Sequence, residues 1–244
     1  MECFKKIAGT LAFVLLSTVS IAQLTQGSIT FERRTNLKKT VVDNPRVSRF
    51  LNDDNKIRKE NFELKFNETS SVFKHIENED EEDIGMMKYF TQRNTVYQDL
   101  DNNGFMVILN SWGQPMYLQD SMSIRLWKVT ESKRKFAGYM CYKSIWEIND
   151  STRIYAWFCP DIVPSVGPEG FSGLPGAILG LATEDGGIVY YATEVKEMEV
   201  TAETTDFTEY MDETYTKEEL KEILLKNMGK WIKKKDLDTM FAWY

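Results

Sequence analysis

Between Gly27 and Val200, apolar residues fall into short runs, and each run is closed by residues that favour turns. Phe62, Leu64 and Phe66 alternate with polar neighbours at the end of the run Arg58 to Phe66, Asn67-Glu68-Thr69 interrupts, and Ser71 to His75 resumes. A period of two marks a half-buried strand, because successive side chains point to opposite faces. The same reading predicts strands over Gly27 to Arg34, Met86 to Thr91, Thr95 to Leu100, Phe105 to Leu109, Met116 to Leu118, Ile124 to Thr130, Ile178 to Thr183 and Ile188 to Val200. Short strands at this spacing, with frequent turn residues, point to a mainly β, antiparallel architecture. The expected form is a single curved sheet or half-barrel. With no internal repeat and no low-complexity linker, residues 23–244 read as one domain.

One hairpin can be read in register. Phe136 to Ile148 and Thr152 to Cys159 are rich in Tyr, Trp, Ile and Phe, and Asn149-Asp150-Ser151 lies between them. Folding about Asp150 sets Lys143 against Trp157, Ile145 against Tyr155 and Glu147 against Arg153 on one face. The other face pairs Tyr142 with Phe158, Ser144 with Ala156 and Trp146 with Ile154. This register produces an ion pair, a cation–aromatic pair and an apolar face together, and a slip of one residue would lose them. Ser151 does not favour the left-handed position of a three-residue loop, so a two-residue turn stays open. Cys141 then faces Cys159, and a disulfide between them is expected in an exported chain.

The period changes at the C-terminal end. Thr216-Lys-Glu-Glu219 has the form of a capping box, and Leu220, Ile223, Leu224, Met228 and Trp231 follow at helical spacing. An amphipathic helix over about 216–235 is expected to lay this stripe on the sheet, with Lys233, Lys234 and Lys235 suiting its C-terminus.

The chain has 244 residues, 42% of them hydrophobic, enough for one sizeable core. Lys5 and Lys6, the apolar run Ile7 to Ile21 and the small residues ending at Ala22 read as a secretory signal cleaved near Ala22/Gln23. Removing Glu2, Lys5 and Lys6 takes the net charge from -7 to -8 (-7 + 1 - 2). That balance argues against nucleic acid, which requires a basic footprint. No second apolar run is long enough to span a membrane. The acidic run Glu77 to Asp83 lacks the order of a calcium loop, and the only histidine is His75, so no metal or other cofactor is expected.

Residues Gly167 to Leu181 hold five glycines and two prolines yet run directly into Ala177-Ile178-Leu179. Such a loop is expected to lie against the core and fix its shape. Together with Gly138-Tyr-Met-Cys-Tyr-Lys143, Ala156-Trp-Phe-Cys-Pro-Asp-Ile162 and Trp127-Lys-Val-Thr-Glu-Ser-Lys, the segment Gly173-Leu174-Pro175-Gly176-Ala177-Ile178 resembles the GLPGLI family of Bacteroidetes exported proteins. The resemblance runs from about Gly27 to Val200; Ala177 replaces a larger apolar residue, and Cys159 stands where Thr is commoner. It implies an exported β-rich domain, periplasmic or associated with the outer membrane, with no established activity. It also implies a partner in the envelope, such as an outer-membrane TonB-dependent receptor. The layout is loosely similar to the half-barrel of periplasmic lipoprotein carriers.

Three functions are therefore open. The first is a non-enzymatic accessory or binding protein that takes an apolar ligand or peptide. Its candidate binding residues are Tyr139, Lys143, Tyr155, Trp157, Asp161 and Glu169, and its catalytic set is empty. The second is a periplasmic hydrolase using Asp161 and Glu169 as an acid–base pair, with Ser172 nearby. No Gly-x-Ser-x-Gly elbow or phosphate loop accompanies them. The third is a structural subunit of an envelope complex. Outside the acid–base reading, Glu169 is expected to be solvated and Asp161 to fix a turn after Pro160.

Overall fold

The structure is a computed structural model that describes residues 23–40, 51–53, 55–77, 93–110, 115–149, 152–228 and 234–244. The expected signal segment, the strand expected at 86–91 and most of the acidic run lie outside the described residues. The described strands form one open, curved sheet of twelve. In chain order they are β1 (Gly27–Asn36), β2 (Ile57–Phe66), β3 (Ser70–Ile76), β4 (Thr95–Asp99), β5 (Gly104–Leu109), β6 (Met116–Ser121), β7 (Lys128–Phe136), β8 (Tyr139–Asn149), β9 (Thr152–Cys159), β10 (Ala177–Thr183), β11 (Ile188–Glu197) and β12 (Thr214–Tyr215). Across the sheet the order is β12-β6-β5-β4-β3-β2-β1-β11-β10-β9-β8-β7. The pairings are antiparallel apart from the two-residue β12, which lies parallel to β6. Neither edge strand pairs with the other, so the sheet does not close into a barrel.

One departure from the sequence reading concerns β7. Residues 124–127 lead into β7 without being part of it, and the strand continues through the charged run Lys128–Phe136. Polar composition hid this strand because β7 is an edge, exposed along most of its length. Hairpin β8–β9 has the expected register throughout Tyr142 to Glu147. Beyond Glu147 an irregularity shifts it by one, so Asn149 pairs with Thr152 and the connection is the two-residue alternative.

The expected Cys141–Cys159 disulfide is not formed. Both residues are buried free thiols, and Cys141 Sγ donates to the Tyr139 carbonyl at 3.7 Å. The neighbouring sulfur and burial push the Cys141 thiol up, and the adjacent Cys141 side chain pulls Cys159 down. The strand register supplies the facing positions, whereas a bond also requires an oxidant and a particular dihedral between the sulfurs.

The inner face of the sheet carries the core. Ile29 and Phe31 of β1, Phe62, Leu64 and Phe66 of β2, and Phe73 of β3 are all buried there, with Phe62 and Phe73 stacked at 5.0 Å. Burying each such side chain contributes about 1.5–3 kcal/mol. The Gly/Pro stretch runs across this face, as expected. Its single 3₁₀ turn, Pro168–Gly170, touches β3 and β4, and Gln98 Nε2 donates to the Gly170 carbonyl at 3.1 Å. Phe171 is wholly buried among Trp127, Trp146 and Trp243.

The C-terminal segment wraps around the β6 side of the sheet. On the outer face, Phe207 and Tyr210 cover Tyr97 and Tyr117. Short helices α1 (Leu37–Thr40) and α2 (Ala202–Thr205) border β1 and β3. The capping box forms as read: Thr216 N donates to Glu219 Oε2 at 2.8 Å, and Glu219 N donates to Thr216 Oγ1 at 3.3 Å. The described helices of this stretch are α3 (Lys217–Met228) and α4 (Lys234–Phe241), and residues 229–233, including Trp231 and Lys233, lie outside the described residues. Leu220 and Leu224 of α3 and Leu237 and Phe241 of α4 join the core. No helix among the described residues is long and apolar enough to cross a membrane.

Candidate functional site

The inner face turns from apolar to charged along β1 and β2. Arg33 continues the side on which Ile29 and Phe31 lie, and Glu60 continues that of Phe62 and Leu64. The two are register partners, and Arg33 Nη2 donates to Glu60 Oε2 at 2.6 Å. Arg58 Nε lies 3.0 Å and Arg93 Nε 2.9 Å from the other oxygen of Glu60. Burial would raise the Glu60 pKa, but Arg33, Arg58 and Arg93 outweigh it and hold the carboxyl down at about 2.

Glu169, from the Gly/Pro stretch, enters the same network. It is 3% exposed and holds a left-handed backbone with φ 53°. A non-glycine residue in that region is strained and persists only where its surroundings fix it. Here they do. Tyr190 OH donates to Glu169 Oε1 at 2.5 Å and Tyr244 OH to Oε2 at 3.1 Å, while Arg33 Nη1 lies 3.6 Å away. Asn94 Nδ2 in turn donates to Tyr244 OH at 2.5 Å, and Arg33 Nη1 to Tyr190 OH at 3.1 Å. Burial raises the Glu169 pKa, and the neighbouring Arg33 and the two phenols offset only part of that rise. Burial also pushes both phenols well above their ordinary range, so they stay donors. The result is a buried carboxyl group held between two tyrosines, with a second, fully ionised carboxylate behind it.

This network floors a cleft of about 860 Å³ at the end of the sheet, between Asn149 and Thr152 at the ends of β8 and β9 and the β10–β11 turn. The rim is charged on both signs. Arg153 binds Glu147 and Glu184, each at 3.0 Å, and Tyr155 OH donates to Glu184 at 3.1 Å. Lys39 Nζ donates to the Asp185 carbonyl. No group of three or more metal-ligating side chains exists among the described residues.

The six residues expected to form one binding face are divided between two sides of the sheet. Lys143, Tyr155 and Trp157 stand together on the outer face, with Lys143 Nζ 3.9 Å from the Tyr155 ring centroid and 5.8 Å from that of Trp157. Tyr139 is on the same strand as Lys143, two alternations away. Asp161 sits in the turn after β9, where its carbonyl accepts the Leu24 N–H at 2.8 Å, and its charge acts on the cysteine pair. Glu169 is on the inner side, buried and not solvated, and its partners are Arg33, Tyr190 and Tyr244, with Asp161 not among them.

The segment 173–178 is scaffold. Ser165 Oγ accepts the N–H groups of Gly173 and Leu174 at 2.8 and 3.2 Å, and Leu174, Ala177 and Ile178 are buried. The residues that sequence reasoning missed are Arg33, Glu60, Tyr190 and Tyr244. For the first two a signal was present: each is a charge in phase with an apolar alternation, which places it on a core-facing side.

Residues 144–180, from β8 to β10 and including the whole Gly/Pro turn, match a family model described as a protein of unknown function (Porph_ging). No curated protein matches the chain. Among solved structures, the chain is similar to PNGF-II in its P21 crystal form, with 17% identity and a TM-score of 0.49, covering 79% of this chain and 31% of that one. For the C2 form of PNGF-II the values are 17%, 0.48, 78% and 30%. The chain thus spans under a third of the length of PNGF-II. An uncharacterised conserved protein from Thermus thermophilus is similar at 6% identity and a TM-score of 0.39, with 78% of this chain and 90% of that one covered.

Proposed function

We propose that the protein is a non-enzymatic binding or accessory module, exported to the cell envelope, that recognises its ligand at the end of the sheet and not along its inner face. The observation that carries this reading is how the inner face is used. Phe171 and the segment ending in Tyr244 occupy it, and a cleft of about 860 Å³ floored by Arg33, Glu169 and Tyr190 stays open at its end. Clefts of roughly 300–1,000 Å³ with a few fixed polar groups are the usual form of a small-ligand site. Charges of both signs at the rim suit a polar or zwitterionic molecule, such as the end of a peptide. The outer-face group Lys143, Tyr155 and Trp157 is a second surface suited to a protein partner in the envelope, because aromatic and cationic side chains anchor such contacts.

The acid–base alternative rests on the raised pKa of Glu169. Both of its oxygens already accept phenolic hydrogens from the chain, which favours a positioning role over proton transfer to a substrate. The reading is tested by native mass spectrometry of protein released from the envelope without denaturation. A co-purifying molecule is expected, retained by the wild type and lost from Arg153→Ala and Glu184→Ala. Turnover of peptide or glycoside substrates that vanished in Glu169→Gln would replace it with the hydrolase.

A further inference from the structure

At the opposite end of the sheet, near the β2–β3 and β4–β5 turns, lies a second cleft of about 800 Å³. Arg125 lines it and is only 6% exposed. Its guanidinium stacks 4.3 Å from the Phe171 ring centroid and 5.5 Å from that of Trp146. Nη2 donates to the Trp243 carbonyl at 2.7 Å, while the buried Nε has no hydrogen-bond partner. Arg125 forms no ion pair among the described residues, in contrast to Arg33, which Glu60 and Glu169 bracket. Burial alone pulls its pKa down to about 10.

A charge removed from water and left without a counter-charge is costly, and an anion delivered from outside would offset that cost. The lining of the cleft is mixed, with polar Thr25, Asn103, Ser123 and Ser165 beside an apolar group. Ile124 is 90% exposed, Val163 is exposed, and Met122 and Leu100 complete that side. Arg125 is the only cation among the lining residues, and Glu68 lines the same cleft. One cation in the lining balances one negative charge and would leave a dianion such as phosphate half neutralised.

We propose that this cleft binds a small amphiphile carrying one carboxylate on an apolar chain, the carboxylate pairing with Arg125 and the chain passing over Met122, Ile124 and Val163. A planar guanidinium without a counter-charge is suited to a carboxylate, and a charge-assisted bond to it would be formed largely out of water. The site is separate from the cleft beside Glu169, and only Trp243, which lines that cleft, touches Arg125.

The test titrates dodecanoate into the full exported protein, followed by calorimetry and by tryptophan fluorescence, with dodecan-1-ol as the uncharged control. Dodecanoate should bind at least tenfold more tightly than the alcohol. Arg125→Met, which keeps an apolar side chain between Phe171 and Trp146, should weaken dodecanoate at least tenfold and leave the alcohol unchanged. Ile124→Asp alters only a solvent-exposed side chain and should also weaken dodecanoate about tenfold, so the comparison survives if Arg125→Met fails to fold. Absence of dodecanoate binding, equal affinity for acid and alcohol, or unchanged affinity in Ile124→Asp would each overturn the proposal.

Discussion

Arg33 and Glu60 face each other across β1 and β2 at 2.6 Å, each almost entirely out of water, on the same side of the sheet as the aromatic core. Such a pair holds its place because each member cancels a charge the other could not bear alone; removing one partner typically costs about 3–5 kcal/mol.

The pair sets an acid limit on stability. Glu60 has a folded pKa of about 2 against an ordinary 4.5, so between those values the unfolded chain binds more protons than the folded one. Its contribution is complete above about pH 4.5 and is lost as the pH falls towards 2. Glu169 acts in the opposite sense. Its raised pKa makes it least costly when protonated, and stability declines as the pH climbs from its ordinary 4.5 through the raised value. Urea unfolding across this range should show a flatter acid limb in Glu60→Gln, on a lower baseline, and a flatter decline above pH 4.5 in Glu169→Gln.

Two glycines of the turn before β10 should differ in their tolerance. A Cβ on Gly176 would lie 2.1 Å from the Cys159 carbonyl oxygen, which is backbone and cannot move aside, at φ +129°. At Gly173, φ is +88°, but the nearest atom, on Trp127, is 3.6 Å away. Gly173→Ala should therefore cost only its backbone strain, about 1–2 kcal/mol, and Gly176→Ala clearly more. Thermal melts of the two variants side by side would reveal the order; equal losses would contradict the steric account.

Tyr244 carries one end of the Glu169 network. Tyr244→Phe keeps the ring beside Phe105 but removes the hydroxyl shared by Asn94 and Glu169. Leaving those groups short of a partner should cost about 1–3 kcal/mol. In a double-mutant cycle with Tyr190→Phe, the losses should fail to add by 0.5 kcal/mol or more, roughly the coupling expected of groups sharing one acceptor. Strict additivity would mean that the two phenols act independently.

Cys141 and Cys159 already touch as thiols. In an oxidising compartment they should close a bond without rearranging the hairpin, and a cross-link over a loop of this length is worth about 3 kcal/mol in the chain-entropy account. Mild oxidation of purified protein should remove two titratable thiols and raise the melting temperature, an effect absent from Cys141→Ser. Free thiols after exhaustive oxidation would show that the sulfurs cannot reach bonding geometry.

Strand positions were legible where the period of two coincides with burial on one side, as in β2 and in the β8–β9 hairpin, whose register from Tyr142 to Glu147 follows from side-chain pairing alone. The turn of that hairpin was less legible, because a bulge after Glu147 has no residue signature of its own. The loop holding Glu169 was readable as core-lining from its glycines and prolines. The burial of Glu169 itself was not, since its partners come from β1, β11 and the end of the chain. Long-range convergence of this kind depends on sheet order, and alternation along one strand carries no information about which strands become neighbours.

Among the described residues, no strand pairs with the outer edge of β7. Its backbone offers unpaired donors and acceptors to any extended chain, the condition under which β-proteins stack into fibres. Lys128, Lys133, Arg134 and Lys135 lie along that border, exposed. A second molecule docking edge to edge in the same orientation would bring two rows of positive charge together, in a chain whose overall charge is negative. The strand that composition disguised thus acts as a fence: it completes the sheet and makes its further growth unfavourable.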